Sequence, residues 1–113
     1  MSTRELKAAV ASIQEADASM PTDLDGMRGA LGDLDDLLGV LSSYGRRLSS
    51  AVESLPGATP DLRVNEVDGP VAPEFVCNQV AIHLQAAAAG IDQSRTAVRV
   101  AHRLSERLHL QRR

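Results

Sequence analysis

His102 and Glu106 stand four residues apart, with His109 a further turn on, a spacing that can bring imidazole and carboxylate donors to one cation on a helix face. The same spacing is ordinary on a solvated helix surface. That is the reading adopted, and no metal is assigned. His83 lies alone in an Ala-rich stretch and Cys77 lies on an apolar seam, which makes them a core histidine and a buried thiol rather than a base and a nucleophile. Asp33, Asp35 and Asp36 form a short acidic cluster, but consecutive helical residues point in different directions, and acids suit the first turns of a helix. Gly26, Gly29, Gly32 and Gly39 are scattered along a helical pattern instead of cradling phosphate between a strand and a helix. The chain therefore presents no nucleophile and base, no metal cage and no cofactor cradle. Catalytic, cofactor and metal roles stay unassigned, and an enzyme is not expected.

The residues that do suggest chemistry are basic. Arg95, Arg99, Arg103 and Arg107 recur every fourth residue, a ridge able to track phosphates or another anion. Residues 95–113 hold six arginines against one acid, Glu106, so this end carries plus five and the rest of the chain minus eight. An acidic pI near 5.5 and only two aromatics, Tyr44 and Phe75, argue against base stacking and hence against nucleic acid. The expected role of the ridge is instead to pair with the acidic start of a neighbouring helix.

The elements that must position these residues follow from apolar spacing. Leu24, Met27, Leu31, Leu34, Leu38, Leu41, Gly45, Leu48, Val52 and Leu55 step by alternating threes and fours, which predicts a long helix over 22–55 with one stripe facing a partner. Thr22 with Asp25 reads as its capping box, and Pro56-Gly57 as its stop. Ser2 with Glu5 predicts a first helix over 3–18, with Leu6, Val10 and Ile13 on one face. Pro, Gly and Asp punctuation makes 56–72 a loop, in which Val64 and Val67 suggest a short extended piece. Pro73 opens a third helix over 73–110, whose seam reads Cys77, Val80, Leu84, Ala87, Ile91, Ser94, Val98, Ala101, Ser105 and Leu108.

The predicted fold is all-α, a single domain over 1–113: a short helix followed by a long antiparallel, coiled-coil-like hairpin that forms an oligomeric helical bundle. Folding the third helix back on the second pairs residues whose numbers sum to about 128, setting Asp33, Asp25 and Asp23 beside Arg95, Arg103 and Ser105. Between Phe75 and Ile91 the third helix is apolar nearly all round, so it should be covered on both sides, by the second helix and by the first helix or another protomer. Phe75, Ile82, Ala86, Ala89 and Val100 form the expected partner-binding surface.

At 113 residues and 12.0 kDa a monomeric core would be thin, which favours association with itself or with another helical protein. A single cysteine and the lack of a charged-then-apolar leader suggest a cytoplasmic protein, and no stretch is apolar and long enough for a membrane span. Among 12 basic residues only Lys7 is lysine, a bias typical of GC-rich bacterial genomes.

A chain of this length, acidic, nearly Cys-free and dominated from Thr22 to Arg113 by two long helices, resembles the Trp-X-Gly family of small helical-hairpin proteins of bacterial type VII secretion. Tyr44-Gly45 stands where that family's Trp-X-Gly would be sought, but within the second helix, and the family's carboxy-terminal Tyr-x-x-x-acid signal is absent. The resemblance implies a dimeric hairpin exported with a partner. Three functional expectations result: a non-enzymatic interaction or assembly module, a small nucleic-acid-associated protein using the arginine ridge, and an exported hairpin.

Overall fold

The computed structural model describes residues 3–64 and 72–110, and these form three helices: α1 (Arg4–Ala18), α2 (Leu24–Ala58) and α3 (Pro73–Ser105). α2 and α3 pack antiparallel along their length, whereas α1 contacts neither. The molecule is a rod of 73 × 25 × 24 Å with a radius of gyration of 19.9 Å; a compact chain of this size would have about 13 Å.

The helix ends correct several local expectations. α2 is capped by Asp23, not Thr22: the Asp23 Oδ1 accepts a 2.6 Å hydrogen bond from the Gly26 backbone N–H. Thr3 occupies the cap position of α1 without a side-chain bond, and the expected Ser2 contribution lies outside the described residues. Pro56 does not stop α2, which continues to Ala58. A proline in the last turn forfeits only one backbone bond, and the Thr59 N–H still reaches the Leu55 carbonyl at 2.8 Å. α3 ends at Ser105, five residues before the expected 110, and tight turns follow through Leu108. Val64 lies in irregular chain, and Val67 falls outside the described residues.

The seam differs from its expectation in one instructive way. The rows 24–31–38–45–52 of α2 and 77–84–91–98–105 of α3 do face the partner helix, as their spacing suggested. Their companions are the rows four residues further on: Arg28, Asp35, Ser42, Ser49 and Pro56 in α2, and Ala81, Ala88, Arg95 and His102 in α3. Ser42, Ser49, Ala81 and Ala88 are buried, while Met27, Leu34, Leu41, Leu55 and Val80 remain exposed. Small side chains win this interface because they let the two backbones approach closely. The Ser49 hydroxyl donates to the Ala81 carbonyl across the gap at 2.9 Å, and the Ser42 hydroxyl to that of Ala88 at 3.4 Å. Gly45 fits the same geometry, since a Cβ there would already touch that of Ala88 at 3.6 Å.

Candidate functional site

The cross-helix pairs set the register. Facing residues have numbers adding to 130 at three successive heptads, Ser49 with Ala81, Ser42 with Ala88 and Asp35 with Arg95. That two-residue slip from the expected register gives Arg95 to Asp35 rather than to Asp33, which is exposed. Asp25 is likewise exposed, and Asp23 is used as a helix cap.

Asp35 is the hub of the basic region. Its Oδ1 accepts from Arg95 Nε at 2.6 Å and from Arg99 Nε at 3.1 Å. The Arg95 hydrogen bond is the main cause holding the Asp35 carboxyl below its ordinary value, partial burial works against it, and Arg99 reinforces it. Gly39 makes room for this arrangement: a Cβ there would stand 2.5 Å from Arg95 Nη1. Further along, Arg46 Nη2 meets Asp92 Oδ2 at 2.7 Å and also donates through Nη1 to the Ser42 hydroxyl. Ser42 and then Arg46 hold Asp92 below its ordinary value. At the far end Arg28 reaches across to cap α3, donating to the Ser105 carbonyl at 3.1 Å and to that of Leu108. A cation on those orphan carbonyls also complements the negative end of the helix.

The arginine ridge is therefore not one continuous surface. Four-residue steps rotate about 40° each around a 3.6-residue helix. Arg95 consequently lies in the interface, Arg99 beside it, and Arg103 and Arg107 are exposed with no side-chain hydrogen bond or ion pair among the described residues. His102 is half-buried beside Gly32, and no group of three metal-ligating side chains occurs among the described residues. Cys77 is buried, as expected, and His83 is exposed rather than a core residue, because it falls one row outside the seam.

The same rotation sorts the two flanks of the hairpin. On one flank lie the ion pairs just described, with Arg46, Glu53, Gln85, Asp92 and Arg99. On the other, α2 contributes Met27, Leu34, Leu41, Leu48 and Leu55, followed outward by Ala30, Leu37, Tyr44, Ala51 and Ala58. α3 contributes Val80, Ala87, Ser94, Ala101 and Leu108 on that flank, followed by Val76, His83, Gly90, Ala97 and Leu104. None of these positions bears a formal charge in a chain that is 24% charged overall. All but Leu37 and Leu48 are exposed: Met27 is 46% exposed, Tyr44 43% and Leu104 54%. A shallow hollow of about 430 Å³ opens at the loop end, lined by Phe75, Val76, Gln79, Val80, His83 and Leu84.

Phe75, Ile82, Ala86, Ala89 and Val100, the surface expected to bind a partner, are also all exposed, but lie towards the outer side of α3 and the flank of ion pairs. Heptad spacing alone puts the leucines of this uncharged flank in the stripe that faces a partner helix, and so does not separate them from the residues that pack α2 on α3. Tyr44-Gly45 sits mid-helix in α2, as its sequence position required. No protein-family model, characterised protein or solved structure matches the chain. No helix among the described residues is long and apolar enough to cross a membrane.

Proposed function

We propose that the protein is a non-enzymatic interaction or assembly module whose working surface is the uncharged flank of the α2–α3 hairpin. One observation carries this reading: large apolar side chains line that flank from Met27 to Leu55 without an interrupting charge, and all but Leu37 and Leu48 are exposed. Exposed apolar patches of this extent mark sites of protein association. A helical partner suits the surface best, because two parallel rows of side chains form the ridges and grooves into which another helix packs.

Native mass spectrometry and analytical ultracentrifugation of the expressed chain test the reading. Assembly with a polypeptide, abolished by Leu34→Glu with Leu41→Glu but retained by Val40→Glu on the outward side, is the expected result. Assembly indifferent to the leucine substitutions would refute it. The arginine ridge supports an anion or nucleic-acid contact less well, since Asp35 engages two of its four members. Salt-sensitive duplex binding lost on Arg103→Glu with Arg107→Glu would reinstate that alternative.

A further inference from the structure

Building on that interaction surface, we infer that its occupant is a second copy of this chain, related by a two-fold axis parallel to the long axis of the hairpin. Three features of the molecule point there. The chain exposes 8990 Å², against about 6,000 Å² for a compact monomer of this mass. Part of the excess of about 3,000 Å² belongs to α1, which packs on neither long helix; the rest lies on the hairpin, whose uncharged flank runs about 50 Å, long enough to supply the roughly 800 Å² that each partner contributes to a standard interface.

The flank is also complementary to itself. Its α2 side is a ridge of large residues, Leu34, Leu37 and Leu41, and its α3 side at the same level is small, Gly90, Ser94 and Ala97. A two-fold axis along the rod lays the α2 ridge of each copy over the α3 trough of the other. Each helix then has two antiparallel neighbours, as in an up-down four-helix bundle. Register extends the match, because the small Ala51 of one copy then falls over Val76 and Val80 of the other, at the hollow near the loop. A transverse two-fold would instead set leucine ridge on leucine ridge and leave trough facing trough.

Length excludes α1 of the same chain as the full cover. Its 15 residues span about 22 Å, against about 50 Å for either long helix. Folded back through the short link at residues 19–23, it would leave the loop half of the flank, from Leu48 to Leu55 and Val76 to Val80, open.

The test is sedimentation equilibrium of the wild-type chain, followed by spin-label distances with Gly57→Cys in a Cys77→Ser background. Gly57 suits a label because an added Cβ there meets nothing. The expected mass is twice 12.0 kDa. Both labels should lie at one end of the bundle, about 30 Å apart across its diagonal, whereas a transverse two-fold would separate them by about 50 Å. The longer distance overturns the inferred arrangement. A monomer that binds the apolar dye ANS overturns self-association while leaving the flank open to a different chain. A monomer that does not bind the dye overturns both the inference and the interaction reading on which it rests.

Discussion

Substituting Ala88 by leucine tests the small-residue seam directly. Ala88 has no accessible surface, its carbonyl accepts from the Ser42 hydroxyl at 3.4 Å, and a Cβ added to Gly45 would stand in contact with its methyl at 3.6 Å. There is room here for one methyl group, not for an isobutyl group. Leucine at 88 must therefore push the helices apart. Overpacking of this kind costs about 1–3 kcal/mol, and loss of the Ser42 bond adds about 0.5–1.5 kcal/mol. Ala88→Leu should thus destabilise the hairpin by about 2–4 kcal/mol. Ala86→Leu, on an exposed face of the same helix, should stay within about 0.5 kcal/mol of wild type. Urea unfolding followed by circular dichroism, with all variants at one protein concentration, measures the difference. Equal midpoints for the two variants would mean that Ala88 does not face α2, and the register derived above would fall with it.

The remaining expectations concern the polar side of the seam. Ser49→Ala removes the hydroxyl that bonds the Ala81 carbonyl and should cost about 1 kcal/mol in the same urea assay; an unchanged midpoint would show that the bond contributes nothing. Asp35 and Asp92 both titrate below their ordinary 3.8 in the folded chain. Their contribution is therefore complete above that value and lost as pH falls through the folded ones. The thermal midpoint should drop on acidification below about pH 4, and more steeply in wild type than in Asp35→Asn with Asp92→Asn. Gly39→Val places carbon where the Arg95 guanidinium lies, so the Asp35 carboxyl should titrate closer to 3.8 by NMR; an unaltered titration would show that Arg95 does not need that space.

Apolar periodicity locates both long helices and one row of each interface face, because Leu24 to Val52 and Cys77 to Val98 do point inward, and the loop between them gives their antiparallel relation. The periodicity misassigns the second row. A heptad pattern ranks positions by hydrophobicity and so chooses Leu34 and Leu41 over Asp35 and Ser42, whereas close approach of two backbones is governed by size. Serine hydroxyls that reach the carbonyls of the opposite helix make such an interface satisfiable, and nothing in a single helix's spacing announces where those carbonyls will be. The charge pairing was read in kind but displaced by two residues, for the same reason.

That displaced row is itself the best functional clue. If Met27, Leu34, Leu41 and Leu55 were needed to hold α2 against α3, their hydrophobicity would be fully explained by the hairpin. Leu24, Leu31, Leu38 and Val52 hold the hairpin together with serine, alanine and two ion-paired arginines, and the residues of the displaced row stay 39–46% exposed on the flank. Burying the part of each that remains exposed would contribute about 0.6–1.2 kcal/mol, a gain the isolated hairpin forgoes at every exposed heptad. The opposite flank shows what a solvated side of the same two helices looks like, with Arg46, Asp92 and Arg99 at the matching positions. One flank carries these charges and the other carries none. The contrast between them is what supports the proposal that the leucine row is the protein's interaction surface.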